Sequence, residues 1–424
     1  MITIIGAGLS GLSAAYHLKD GYVVLEKERE VGGLCRSVNI DGYVFDYAPH
    51  ILFTRDEYTK SLFFNLLRDN LHTHERRAYI YMMDTYVKYP FEANLSPLPR
   101  SVVDECIQGV IDRKQLGPRN FMEWIYSTFG EGIANHYMVP YNQKIWKHPL
   151  EEMNTGWIAG RVPSPSVEEM RRGAEGIQDK DFGPNAVFWY PKRDGIGALA
   201  NQLSRGLNVL LGSTATELKP HRDGVNVIYM KDGKRRAVES DRVLSSLPLP
   251  EIVKMIDDAP EEVHRAAERL VHNSLVCVMV GVKRPRITYK HWLYFPEKDL
   301  VFNRISFPMN FSPETTPEGR SSILVEVTYR DRVDVEETKE RVLMGLVKTG
   351  LIDEDDEVET CTAASFEYAY VIYDLDHRKN VNIVHGYLED NHITPIGRFG
   401  EWEYYNMDKT IQSGKKAAET LSRL

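Results

Sequence analysis

The sequence predicts an α/β protein: a discontinuous Rossmann-like nucleotide-binding domain carrying an inserted helical domain and an antiparallel β-sheet domain. Three observations carry this expectation. The apolar run Ile2 to Ile5 leads directly into glycines at 6, 8 and 11 and then into helically spaced residues from Leu12 to Leu18, which is the order strand, turn, helix. A second apolar run, Tyr22 to Leu25, completes a βαβ unit. Near the far end, Ile393 to Gly400 precedes a helical stretch from Asp408 to Leu421 that can return to the first unit.

A chain of 424 residues exceeds what one core usually supports, so two or three domains are expected. Its net charge of -9, with both signs interleaved, argues against nucleic acid as the main partner. An anionic substrate stays open, because a few local arginines can bind a diphosphate whatever the overall sign. Cys35, Cys106, Cys277 and Cys361 are scattered without metal-ligand spacing, so they are expected to be reduced, intracellular and unconnected with any metal. No apolar run approaches the length of a membrane span, and strand-like sequence starting at Ile2 leaves no room for a signal peptide. The expectation is a soluble cytoplasmic protein; whether it forms a homo-oligomer stays open.

The elements follow in order. After the βαβ unit, Val31 to Arg36 carries paired glycines, and Ser37 to Phe45 reads as a hairpin turning at Asp41-Gly42. From Tyr58 to Tyr89 a helical stretch passes into tyrosine-rich strands. Residues 96 to 175 are mostly helical in pattern, including Arg119 to Tyr137, and end in the loop-forming Val162-Pro163-Ser164-Pro165. Leu207 to Leu218 and Arg242 to Leu247 read as strands returning to the nucleotide sheet, with a helix opening at Pro248. Asn273 to Tyr373 is strand-rich. The expected division is 1–75, 190–262 and 374–424 for the nucleotide domain, 96–189 for the helical insert, and 76–95 with 263–373 for the sheet domain.

Gly6, Gly8 and Gly11 between strand and helix, with Glu26 ending the next strand, form a dinucleotide fingerprint. The glycines supply a tight turn, backbone approach to a pyrophosphate and close helix packing. Glu26 supplies a carboxylate for ribose hydroxyls, and Lys27 stands beside it. The pyrophosphate belongs at the helix N-terminus, where amides are free and the dipole is positive. NAD and FAD share these features.

The choice between them comes from Glu30-Val31-Gly32-Gly33-Leu34-Cys35-Arg36, which resembles the second motif of the amine-oxidase and glutathione-reductase-like flavoproteins. The resemblance implies FAD, lying along Gly33 and Leu34, with Arg398 of Gly397-Arg398-Phe399-Gly400 at the flavin end. Further stretches resemble the UDP-galactopyranose mutase family, the eukaryotic-type members more than the bacterial ones, along nearly the whole chain. Asp46-Tyr47-Ala48-Pro49-His50 is similar to the loop whose histidine lies against the flavin. Tyr89-Pro90-Phe91-Glu92 is similar to a segment holding the uridine, although eukaryotic-type members have glutamine where Glu92 stands. Trp157 to Val162 is similar to the segment carrying one diphosphate arginine, here Arg161, and Gly183 to Lys192 to the block whose asparagine, here Asn185, reaches the substrate. Trp292, Tyr294 and Arg304 match a tryptophan, a tyrosine and the second arginine in type and spacing. Tyr370 and Tyr404 stand where the family has tyrosines at the sugar diphosphate, and Asn406, followed by Met407, stands at the flavin.

The resemblance implies interconversion of UDP-galactopyranose and UDP-galactofuranose without net redox, a step in cell-surface glycan biosynthesis, with N5 of reduced FAD as nucleophile and NAD(P)H as reductant. The expected protein contribution is diphosphate binding by Arg161 and Arg304, through planar charge-assisted hydrogen bonds, beside His50. Each residue taken alone has a plainer reading, since a lone arginine is usually a surface charge and a tyrosine usually packs. The rival enzyme reading is a redox flavoprotein of the protoporphyrinogen oxidase, desaturase or amine oxidase type. The third is an FAD-stabilised binding protein without activity.

Overall fold

The computed structural model describes residues 1–114, 117–158, 162, 165–177 and 185–423. Five parallel strands form the first sheet, in spatial order Ile393–Pro395, Arg242–Ser245, Ile2–Ile5, Tyr22–Leu25 and Val209–Leu210. Successive side chains of a strand point to opposite faces, and here both faces are covered. Ile4, Val24 and Leu244 pack with Leu12, Leu199 and Ile411, which belong to the helices Leu9–Leu18, Gly197–Leu203 and Met407–Leu421. Ile5, Val23 and Val243 join Ile252, Val263 and Val384, from the helices Leu249–Lys254, Glu261–Glu268 and His377–Asp390. The first and last helices cross closely, because a Cβ on Gly414 would stand 2.1 Å from the Ser10 carbonyl oxygen.

The stretch Leu207 to Leu218 departs from expectation. Only Val209–Leu210 joins the parallel sheet, and from Ser213 the chain enters a separate three-stranded antiparallel sheet of Ser213–His221, Gly224–Lys231 and Lys234–Ser240. The reason lies in the alternation: Ala215, Leu218, Val225 and Val227 are buried while the residues between Ala215 and Ser213 and along Lys234 to Ala237 are exposed, as suits strands covered on one face.

A seven-stranded sheet makes up the second layer, in order Val358–Val371, His272–Val282, Ser321–Tyr329, Arg304–Ser306, Trp292–Tyr294, Ala78–Met82 and Thr85–Lys88. All neighbours are antiparallel, as expected for this domain, except Trp292–Tyr294 against Ala78–Met82, which run parallel. These two strands come from distant segments with the helical insert between them, so no hairpin dictates their direction. On one face Val278, Leu293, Ile305 and Val325 pack with Val342 and Leu346 of the helix Val335–Lys348. On the other, Tyr294, Arg304, Glu326 and Cys277 stand opposite one another in a single cross-strand row. That row builds a wall of the candidate site.

The helical insert contains Arg100–Asp112, Phe121–Ile133, Val139–Trp146 and Val167–Ala174, with the π-helical turn Ala134–Met138 joining the second to the third. Asn120 and Ser166 cap two of these helices, each accepting from the amide three residues on. Gly130 breaks the second helix at φ 70°, and a Cβ there would lie 1.9 Å from the Gly109 carbonyl oxygen. Gly130→Ala is therefore expected to destabilise the protein by about 3 kcal/mol or more. Gly386→Ala, in a helix with open space around it, is expected to be neutral or slightly stabilising. Thermal melting of the two variants checks the contrast. Among the described residues no helix is long and apolar enough to cross a membrane.

Candidate active site

The glycine segment forms a cradle at the carboxyl end of the first strand. Gly6 adopts φ 93°, and a Cβ on Gly11 would fall 2.0 Å from the Gly6 carbonyl oxygen, so both positions demand glycine. Gly8 differs: it caps the helix Leu9–Leu18 at φ -70°, offers no side-chain cap, and has open space where a Cβ would point. The paired glycines lie alongside, since Gly8 and Gly32 form a parallel bridge, the Gly32 amide donates to the Ala7 carbonyl at 2.8 Å, and Gly33 has φ 58°. Glu26 is buried and accepts the amides of Ala7 at 2.7 Å and Glu28 at 2.9 Å, so it fixes the glycine turn. Lys27 is mostly exposed, and Leu34 is half-buried beside Gly33. Open backbone at a helix N-terminus, with a buried carboxylate one strand over, fits the pyrophosphate and ribose of a dinucleotide.

His50 and Arg398 lie near one another, close enough for the guanidinium charge to act on the imidazole. The Nδ1 of His50 stands 2.9 Å from the Ala48 carbonyl oxygen, so that nitrogen donates and the Nε2 presents a lone pair. Burial, assisted by the charges of Arg398 and Arg304, holds the imidazole down at about 4. With an ordinary value of 6.5, the unfolded chain takes up this proton first as pH falls, so His50 subtracts stability between pH 6.5 and 4 and nothing above. His50→Phe is expected to flatten the fall in melting temperature over that window relative to the parent protein. Arg398, in the short helix Gly397–Gly400, donates to the carbonyls of Tyr405 at 3.0 Å and Ala369 at 2.8 Å. Its guanidinium lies over the rings of Tyr404 at 4.7 Å and Tyr370 at 5.3 Å. Asn406 caps the final helix without a side-chain cap bond, and Met407 is buried behind it.

Arg304 occupies the cross-strand row. Its Nε and Nη2 both donate to the carboxylate of Glu326, the latter at 2.8 Å, and Glu326 is fully buried. Burial opposes the guanidinium charge, but the attraction of Glu326 outweighs it and keeps Arg304 ionised. Beside it the Trp292 indole donates to the Tyr294 hydroxyl at 2.9 Å. The wall continues as rings in contact: Tyr294 with Tyr89 at 5.4 Å and Tyr141 at 5.5 Å, Tyr370 with Tyr404 at 5.9 Å, and Trp146 with both Tyr370 and Tyr404. Burial raises the hydroxyls of Tyr89, Tyr141, Tyr294 and Tyr370, so they stay neutral donors.

Thus His50, Tyr89, Trp292, Tyr294, Arg304, Tyr370, Arg398 and Tyr404 converge, whereas Arg161 lies outside the described residues, as do Gly183 and Pro184. Asn185 is present, and its side-chain Oδ1 accepts from Arg76 at 2.7 Å. Arg76 is buried over the Tyr89 ring at 4.8 Å and went unnoticed in the sequence, having no motif around it. Glu326 was missed too, although a lone acid inside the apolar run Ser321–Tyr329 signals a buried partner. Among the described residues no group of three or more His, Cys, Asp and Glu could hold a metal ion. A cleft of about 1570 Å³ on the helical insert, lined by Arg100, Glu105, Arg113, Glu131 and His136 among others, shares no residue with this site.

The sequence profile of flavin containing amine oxidoreductases matches residues 9–422. A solved structure of reduced UDP-galactopyranose mutase superposes with a TM-score of 0.93 at 26% identity, covering 100% of this chain and 93% of that one. A putative protoporphyrinogen oxidase from Exiguobacterium sp. 255-15 superposes with a TM-score of 0.78 at 16% identity over 100% and 98% of the two chains, a likeness of fold alone. Among curated sequences, an uncharacterized protein in the nifH2 3' region of Methanothermococcus thermolithotrophicus is 52% identical over 54 residues, 12% of this chain and 52% of that protein. The coproporphyrinogen III oxidase of Mycobacterium bovis is 22% identical over 307 residues, 66% of either chain. The chain thus spans about half the length of the first relative and just under two thirds of the second.

Proposed function

The chain belongs to the family of flavin containing amine oxidoreductases, and on that premise we propose that it is a nucleotide-sugar mutase interconverting the pyranose and furanose forms of a UDP-sugar, UDP-galactose first among them. One observation carries the reading: Arg304, held ionised by the buried Glu326, stands in a wall of neutral tyrosine hydroxyls. An oxidase acting on an amine or a hydrocarbon gains nothing from a guanidinium there, whereas a departing diphosphate is stabilised by one; a substrate carboxylate, as on a porphyrinogen, is the other group it would suit.

FAD, held by Gly6, Gly8, Gly11, Glu26 and Gly33, supplies the nucleophilic nitrogen when bound and reduced, and NAD(P)H is the proposed reductant. The chain's own residues bind and orient. Arg304 takes up charge on the diphosphate as the bond to the anomeric carbon breaks, and Arg161 is proposed to share that task. Tyr294, Tyr370 and Tyr404 donate to phosphate or sugar oxygens without bringing further charge into the cavity. The bare Nε2 of His50 accepts a proton or hydrogen bond near the flavin, while its fixed Nδ1 keeps the ring in one tautomer. The aromatic packing around Trp146, Tyr370 and Tyr404 excludes water from the sugar.

The test is incubation of the dithionite-reduced protein with UDP-galactofuranose and analysis of ring form. Pyranose appearing while the flavin stays reduced is the expected result. The oxidase relatives favour a second reading, a redox flavoenzyme. Substrate turnover that leaves the ring form unchanged and consumes oxygen with a porphyrinogen or amine would replace the first with it.

A further inference from the structure

The loop between the short helix Gly397–Gly400 and the final helix Met407–Leu421 carries Tyr404. Two residues before it the backbone turns through φ 56° at Trp402, a conformation that a bulky side chain adopts only where the surroundings impose it. Here they do: the Trp402 ring is fully buried, and its carbonyl accepts from Nε2 of His377 at 3.0 Å. Just past Tyr404, the Tyr405 carbonyl accepts from Arg398 at 3.0 Å and the Tyr405 hydroxyl donates to Glu401 at 2.8 Å.

Between these two anchors a single phenol holds the loop. Tyr373 is 4% exposed and stacks on His377 at 4.1 Å. Its hydroxyl accepts the backbone amide of Tyr404 at 2.8 Å and donates to the carboxylate of Glu403. Arg378 donates to the other oxygen of that carboxylate at 2.6 Å, so Glu403 is fastened to the helix His377–Asp390 as well. The single proton of the phenol goes to Glu403, which leaves none for a substrate oxygen. The backbone of Tyr373 ties in a third segment, for its carbonyl accepts the amide of Asn154 at 2.7 Å, three residues before Trp157, whose ring meets Tyr404 edge-on at 6.1 Å. Tyr370, three residues earlier on the strand Val358–Val371, packs on Tyr404 at 5.9 Å.

We propose that Tyr373 is a positioning residue for the reaction: by holding the Tyr404 amide beside the strand that carries Tyr370, it sets where the Tyr404 hydroxyl meets the substrate. The inference rests on the nucleotide-sugar reading above, in which that hydroxyl donates to a phosphate or sugar oxygen. Removing the phenol oxygen leaves an amide and a carboxylate without their shared partner and lets the turn at Trp402 relax, so the Tyr404 ring drifts from its place. A group misplaced by about 1 Å loses up to about a hundredfold in rate, although every atom that touches the substrate is still present.

The test is a double-mutant cycle on the flavin-loaded, dithionite-reduced protein: kcat/KM with UDP-galactofuranose for the parent, Tyr373→Phe, Tyr404→Phe and the double variant, with flavin content and a thermal melt for each. Tyr373→Phe is expected to keep its flavin and lose about tenfold in kcat/KM. In the Tyr404→Phe background the same substitution is expected to cost less than about twofold, because no hydroxyl is left to aim. A general loosening of the fold would instead cost the same factor in both backgrounds. Should Tyr373→Phe lose its flavin, Glu403→Leu, which takes the phenol's acceptor away from the loop side, is expected to show the same dependence on the Tyr404 hydroxyl. Equal losses in the two backgrounds, a fully active Tyr373→Phe or a fully active Tyr404→Phe overturns the assignment of Tyr373 while leaving the mutase reading standing. A parent protein that leaves the ring form of UDP-galactofuranose unchanged overturns the nucleotide-sugar reading and this inference with it.

Discussion

Arg304→Ala is expected to abolish turnover and also to destabilise the fold, by about 3–5 kcal/mol, because it leaves Glu326 buried without its partner. The two effects separate in a paired variant. Arg304→Met with Glu326→Leu removes both charges from the row between Tyr294 and Cys277 and replaces them with side chains of similar volume. Its melting temperature is expected to return close to that of the parent, since a buried ion pair replaced whole costs little. Its kcat/KM is expected to stay lower by about a thousandfold, the scale of losing one preorganised charge at a leaving group. Bound flavin should be retained, for neither residue touches the glycine cradle. Normal turnover in the paired variant would remove Arg304 from the mechanism.

The second large effect distinguishes two glycines three residues apart. Gly8 has an ordinary backbone conformation and open space at its Cβ, so Gly8→Ala is expected to fold normally yet to hold FAD about a hundredfold more weakly, as the added methyl occupies the pyrophosphate approach. Gly11→Ala meets the Gly6 carbonyl at 2.0 Å and is expected to disrupt the turn itself, losing flavin and stability together. Flavin absorbance per mole of protein, read beside a thermal melt, tells the outcomes apart. Equal flavin content in Gly8→Ala and the parent would mean that the cofactor does not pass over that amide.

What could be read in advance followed the range of the interaction involved. The fingerprint from Gly6 to Glu26, the Asp41-Gly42 hairpin and the final helix are local patterns, and each lies where its residues indicate. The hairpin turn needs φ 52° and 89° at its two residues, which Asp and Gly accept readily. The separate sheet after Gly212 and the parallel join of Trp292 to Ala78 depend on pairings between distant segments, which no local pattern encodes. In the site, Tyr294 and Arg304 were legible as a spaced pair, but their buried acid arrives from another strand, and Arg76 reaches Tyr89 and Asn185 by tertiary packing alone.

The parallel sheet also constrains how the protein comes into being. The neighbours of Ile2–Ile5 lie far along the chain: Arg242–Ser245 follows some 240 residues later, and the helix that crosses Ser10 ends at Leu421. The glycine cradle is therefore complete only once those distant segments have docked, and each closure across that distance carries a loop-entropy cost before any contact offsets it. Flavin capture is accordingly expected to follow those distant closures. Truncated chains that stop short of Arg242–Ser245 should emerge colourless however much of the upstream sequence they contain, and chaperone dependence should concentrate on the strand Ile2–Ile5, whose partners lie farthest along the chain.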